Sequence, residues 1–517
     1  MAILTSYWTL DGMILMITAI VGAYMYMTRM FLYWKKRGVV ELSPTPFVGN
    51  FGDWIMMKRS PAELLKGVYD QFSNLPYVGF YAFDRPALLV RDPELIKNIL
   101  VRDFNCFANR YVSTSSDDVL GSANLFVIKN PAWKLLRSKL TTLFTSGKLK
   151  KMFELMIDVV TDLENHLESL DLKGEGRTID LKELSAKYTT DIIGTTAYGL
   201  KVNSLNNPDA EFRTNGREIF TFNMWRTIEK TSLFFFPQIA GPMGFKFFTK
   251  KSSEFLRQAF WDTIVSREKS GAKRNDLIDL MIEFKHNQTE EDKKIFEFAG
   301  DNLVAQGAIF FTGGFETSST SMSFAMYELA HATEVQNKLR EEIKEGLERN
   351  GGKITYEMVM TLPYLDMVLS EALRKYPPLP FLDRVATADY KVPNSNLVLE
   401  KGTPVYIPML GLHYDPEYFP NPEVFDPERF SEENKKDLKP FVYMPFGLGP
   451  HSCIAMRLGL LQSKLGLIHI IANHELSPCK ETLTRIKLNP KSTLTSVEGG
   501  LYLNVRKITS PTRSCIE

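Results

Sequence analysis

Pro445-Phe446-Gly447-Leu448-Gly449-Pro450-His451-Ser452-Cys453-Ile454-Ala455-Met456-Arg457-Leu458-Gly459 puts two glycines and a proline in a tight loop ahead of a cysteine. A helical pattern begins at the cysteine, which predicts Cys453 at a helix N-terminus. There, unpaired N–H groups and the helix dipole favour a thiolate. Such a thiolate suits axial binding of a metal. The glycines let the backbone approach a flat ring, and Phe446 can shield one face of it. Cys106, Cys479 and Cys515 lack this setting, and the four cysteines show neither metal-finger spacing nor a disulfide framework.

Three more motifs precede the loop. Glu371-Ala372-Leu373-Arg374 sets a carboxylate and a guanidinium on one helical face. Pro427-Glu428-Arg429-Phe430 offers a second guanidinium, and Trp133-Lys134-Leu135-Leu136-Arg137 puts two large donors on one face. The loop resembles the cytochrome P-450 signature Phe-x-x-Gly-x-x-x-Cys-x-Gly. It departs from that pattern at His451, where Arg is commoner, and at Ala455, where Gly is usual. The other motifs resemble the family's Glu-x-x-Arg helix, its partner motif and its Trp-x-x-x-Arg helix, in the family's order.

The resemblance implies a mainly α cytochrome P-450 fold: one large helical domain with a small discontinuous β-sheet part. It implies haem b on Cys453, a structural Glu371–Arg374–Arg429 network, and propionate donors Trp133, Arg137, Arg384 and His451. In Ala308-Ile309-Phe310-Phe311-Thr312-Gly313-Gly314-Phe315-Glu316-Thr317-Ser318, two adjacent glycines inside a helix cost roughly 1 kcal/mol each relative to alanine. By resemblance, the gap at Gly313 admits dioxygen with local loosening of the helix. Glu316 and Thr317 then form an acid–alcohol pair able to relay protons.

The 517 residues are 44% hydrophobic, enough for a large core, and Lys plus Arg (62) balances Asp plus Glu (61), so no basic excess points to nucleic acid. Gly12 to Thr28 is uncharged and apolar residues continue to Trp34, about the ~20 residues of a spanning helix. Lys35-Lys36-Arg37 follows, predicting a lumenal N-terminus and a cytosolic body. Tyr24, Tyr26, Tyr33 and Trp34 suit an interfacial belt, with Arg29 snorkelling. No basic region precedes the apolar run and no small-x-small site follows it, against a cleaved signal. The expected parts are an anchor over 1–34, a basic and proline-containing linker over 35–50 and a catalytic domain over 51–517. Strands are expected at Tyr77–Phe83 and Pro86–Val90, joined at Asp84-Arg85, and at Ala386–Val392 and Asn396–Pro408. Helices are expected at Ala132–Leu143, Lys150–Leu170, Asp301–Leu329 and Glu334–Arg349.

No Rossmann Gly-x-Gly-x-x-Gly unit is visible. The resemblance therefore implies NADPH used through a separate NADPH–cytochrome P-450 reductase, with cytochrome b5 as a further donor. Lys134, Lys139, Lys148, Lys150, Lys151 and Lys464 are candidate docking cations. Implied pocket residues are Phe107, Phe126, Phe310, Phe311, Leu379 and Val497, a phenylalanine-rich set suited to a lipophilic ligand. Phe234-Phe235-Phe236-Pro237 and Phe245-Lys246-Phe247-Phe248 are candidates for touching the bilayer. The whole resembles insect microsomal enzymes of xenobiotic metabolism, monooxygenases of the endoplasmic reticulum. Rival readings are a haem-thiolate isomerase or dehydratase without reductase, and a non-catalytic haem sensor or carrier. The Glu316–Thr317 pair argues against both.

Overall fold

The longest helix, Gly300–His331, runs through the main hydrophobic cluster with Leu303, Val304, Ala308, Phe311, Phe315 and Met322 buried. A computed structural model of the chain describes Thr5, residues 7–221 and residues 223–508; Cys515 lies outside these. This central helix packs closely on helix Leu181–Ala197 because Gly314 lacks a side chain: a Cβ there would sit 2.4 Å from Ile193 Cδ1. Helix Met456–Asn473, which follows the cysteine loop, is buried almost all round, as a helix apolar on every face must be. The expected helices are present with shifted ends, at Ala132–Thr141, Ser146–Ser169, Gly300–His331 and Thr333–Arg349.

Among the described residues, nine short strands make three sheets. The largest runs β1 (Tyr77–Ala82), β2 (Arg85–Val90), β7 (Pro404–Ile407), β4 (Leu382–Val385). β1–β2 and β4–β7 are antiparallel, and β2–β7 is parallel. Ala82 pairs with Arg85, so the turn is Phe83-Asp84 rather than Asp84-Arg85. Phe83 takes a positive φ of 55° there, with its ring edge-on to Phe236. The two long strands expected over 386–408 are instead β5 (Tyr390–Lys391), β6 (Val398–Leu399) and β7, interrupted by turns. β3 (Arg177–Asp180), β9 (Tyr502–Lys507) and β8 (His474–Ser477) form an antiparallel sheet that the sequence reading missed.

Helix Trp8–Thr28 is long and apolar enough to cross a membrane, and only 6% of its most hydrophobic window is buried. Its exit differs from the expectation. Trp34 is fully buried in the sheet domain rather than in an interfacial belt. Its indole donates to the Phe80 carbonyl, and a Cβ on Gly79 would lie 2.4 Å from its ring. Arg29 pairs with Asp84 at 2.8 Å instead of snorkelling freely, and Tyr33 donates to Glu400 at 3.1 Å. Glu41 bridges Gly79, and Gly49 bridges Ala82. The stretch expected to be a linker is therefore bonded to the domain edge.

Candidate functional site

The cysteine loop is built by its own hydrogen bonds. Gly447 N–H donates to Met444, Ser452 N–H to Gly449 and Cys453 N–H to the Phe446 carbonyl, at 2.8, 2.9 and 2.8 Å. Gly447 and Gly449 have φ of +70° and +68°, and a Cβ on Gly449 would sit 2.0 Å from the Leu100 oxygen. Helix Met456–Asn473 begins only after Ala455, so Cys453 precedes the first helical turn. Burial raises the pKa of the free thiol; the Ala455 backbone, Arg137 and Arg110 oppose that rise. Help for a thiolate thus comes from two guanidiniums and from the N–H of Ala455, the N-cap of that helix, with Cys453 lying two residues ahead of the cap rather than at the helix start. Cys453 keeps accessible surface, yet it is fully enclosed by protein. Both hold because the surface it presents is the wall of an internal cavity.

That cavity, of about 340 Å³, is lined by the cysteine loop on one side and the central helix on the other. Phe446, Cys453, Trp133, Arg137, His451, Gly313 and Thr317 all reach its wall. A Cβ on Gly313 would meet nothing within 4 Å, so this glycine opens onto the space. The central helix is continuous here, without the expected loosening, and Thr317 Oγ1 donates to the Gly313 carbonyl at 2.6 Å. Glu316 departs from expectation. Its carboxylate pairs with Lys182 of helix Leu181–Ala197 at 2.9 Å and does not line the cavity.

At one end the cavity is cationic. Arg137 donates to the Ser452 carbonyl at 2.7 Å. Arg110, which the sequence reading missed, lines the wall; its Nε and Nη1 are buried without a hydrogen-bond partner. Arg384 does not reach the wall. It is 1% exposed, its Nε also lacks an acceptor, and burial and then Arg110 push its pKa down to about 9. His451 contributes no charge: burial, Arg110 and Arg384 push its pKa down to about 2, and its Nε2 bonds the Ala108 carbonyl at 2.9 Å. Its ring lies against Trp133, centroids 3.9 Å apart. Buried guanidinium N–H groups without acceptors are costly. The carboxylates of haem would supply the acceptors, so this donor set fits the group. No motif announces Arg110, a single arginine in a loop.

Behind the loop, Glu371 and Arg374 form a two-bonded pair at 2.7 and 2.8 Å, both wholly buried. Arg429 approaches Glu371 at 3.4 Å. His413, also missed in the sequence, joins this network to the loop: its Nδ1 meets the Arg374 carbonyl, and its Nε2 accepts from Met444 N–H. Burial and Arg374 push its pKa down to about 3.

Of the expected pocket residues, Phe126, Phe310 and Leu379 line the cavity. Phe107 instead packs edge-on to Tyr390, and Phe311 turns toward Tyr198 and Phe212. Val497 packs against a separate cluster of Phe324, Tyr327, Tyr376 and Leu501. Thr493 and Leu494 supply the wall in its place. Phe234, Phe235, Phe236, Phe245 and Phe248 are buried rather than exposed to a bilayer. The exposed apolar residues nearby in sequence are Met224, Trp225, Ile239 and Met243. Lys464 is 1% exposed and paired with Asp366, so it cannot dock a partner, whereas Lys134, Lys150 and Lys151 are exposed.

The family described as "Cytochrome P450" matches residues 41–505. "Cytochrome P450 6k1" of Blattella germanica is 46% identical over 515 residues, covering 97% of this chain and 98% of its own length. "Probable cytochrome P450 6g2" of Drosophila melanogaster is 46% identical over 508 residues, covering 95% and 98%. "Cytochrome P450 6j1" of Blattella germanica is 41% identical over 494 residues, covering 95% and 96%. The chain belongs to the cytochrome P450 family, as a haem monooxygenase similar to these insect members.

Proposed function

We propose that this monooxygenase takes electrons from NADPH through a separate membrane-bound flavoprotein reductase, with cytochrome b5 as a further donor. It inserts one oxygen atom into a lipophilic small molecule, in xenobiotic detoxification at the endoplasmic reticulum. The observation that carries the reading is Cys453 on the wall of an apolar cavity faced by Gly313 and Thr317. Haem bound there would supply dioxygen binding and O–O cleavage, which a thiolate ligand favours. Cys453 would be its ligand, Arg110 and Arg137 would neutralise its propionates with Arg384 adding positive charge from behind the wall, Trp133 would donate its indole N–H, and His451 would pack beside them as a neutral ring. Thr317 would hold a proton at Oγ1 on the cavity wall, with Glu316, paired to Lys182, as the titratable group nearest to it in the chain. The phenylalanine-rich wall excludes bulk water and suits apolar ligands. The exposed Met224, Trp225, Ile239 and Met243 suit insertion into the same bilayer as the anchor.

Turnover of a lipophilic substrate panel tests the reading, with and without NADPH and added reductase. Oxygenated product that requires both is expected. Rearranged product formed from a peroxide without either would overturn it in favour of an isomerase.

A further inference from the structure

Five titratable side chains line the cavity. Arg110, Arg137, His451 and Cys453 belong to the cradle; the fifth, Lys230, comes from helix Met224–Phe235, its amine beside the rings of Phe247 and Phe248. It is 7% exposed and forms no ion pair among the described residues. Glu229 pairs with Arg226, and Asp118 accepts from the N–H groups of Gly121 and Phe247. The Lys230 amine makes one hydrogen bond, to the Phe247 carbonyl, and lies 3.9 Å from the Phe247 ring centroid.

The fold does not need that amine. Arg226 Nη2 donates to the same Phe247 carbonyl at 3.1 Å. An apolar side chain would avoid both the cost of burying the amine and repulsion from Arg226 one turn away. Burial and then Arg226 push the Lys230 pKa well below its ordinary value, which favours the neutral amine. Even a neutral amine has two donors, and only one is used.

We propose that Lys230 is a specificity-determining residue, donating a hydrogen bond to a neutral carbonyl oxygen on an otherwise lipophilic substrate. This rests on reading the cavity as the substrate site. A carboxylate fits worse, because it would have to be desolvated beside an amine whose charged form is disfavoured by burial, with Asp118 and Glu229 countering the attraction of Arg226.

The test uses the haem-loaded full chain and compares benzophenone with diphenylmethane, which differ only at the carbonyl. Dissociation constants come from the substrate-induced shift of the haem absorption band. In Lys230→Met, or in Lys230→Leu should the first fail to hold haem, the preference for the ketone should fall about fivefold, the worth of one hydrogen bond. Diphenylmethane should bind no more weakly than in the wild type, since the wall becomes more apolar. An unchanged preference would overturn the proposal. So would a wild type that binds 4-benzoylbenzoate more tightly than benzophenone and loses that preference in the variant. Failure of both neutral probes to shift the wild-type band would instead count against the cavity as the substrate site.

Discussion

An added methyl at Gly313 would point into open space, whereas at Gly314 it would meet Ile193 Cδ1 at 2.4 Å. Two adjacent glycines therefore do different work. Gly314→Ala should lower stability by about 1–3 kcal/mol through overpacking between helices. Gly313→Ala should raise it by up to about 1 kcal/mol through helix propensity, while narrowing the cavity above Cys453. Thermal melts of both variants, together with turnover, check this; equal effects would contradict the assignment. Cys453→Ala should lose haem and its thiolate-type carbon monoxide spectrum, while Cys106→Ala and Cys479→Ala keep both. At this scale the sequence was legible where residues sit in a motif, as Cys453, Trp133 and Arg137 do. It was silent on Arg110 and His413, whose partners are distant in the chain. It did not show which way Glu316 points, since neighbours on a helix face different directions: Thr317 lines the cavity and Glu316 pairs with Lys182.

The pair Glu371–Arg374 belongs to the scale of elements, since it ties helix Pro363–Lys375 to the segment around Pro422 and, through His413, to the cysteine loop. Arg374→Ala would leave a buried carboxylate without its partner, a loss of about 3–5 kcal/mol. The expected result is a sharp drop in haem content and in the urea midpoint. His413 makes the same junction sensitive to acid. Its folded pKa, near 3, lies below its unfolded value near 6.5, so the unfolded chain binds the extra proton between these pH values. Stability is fully present above about 6.5 and falls as pH drops toward 3. Denaturation midpoints between pH 7 and 4 should decline less steeply in His413→Gln than in the wild type; parallel slopes would exclude His413 as a cause. Helices were legible here because their 3.6-residue period runs long. The strands of two to four residues over 382–407 carry too little period to be told from turns, and β3, β8 and β9 pair segments far apart in sequence.

At the scale of the whole molecule, topology is checked through Asn287-Gln288-Thr289, where Asn287 and Thr289 are both exposed. A body held in the cytosol by Lys35-Lys36-Arg37 never meets the glycosylation machinery. Glycosidase treatment after expression in a glycosylating cell should leave gel mobility unchanged. A shift that vanishes in Asn287→Gln would show a lumenal body. The apolar helix Trp8–Thr28 was legible from composition, but the attachment of the chain after it was not. Trp34, assigned to the headgroup region by its chemistry, is a core residue because Gly79 leaves room for it. With Trp34 wedged under the sheet and Arg29 held by Asp84, the chain leaving the apolar helix is fastened to the body at two points. Were that helix to stand in a bilayer, these two attachments would limit how the body turns relative to the membrane plane. Part of the rotational search before docking of a partner in the same plane would then already be complete.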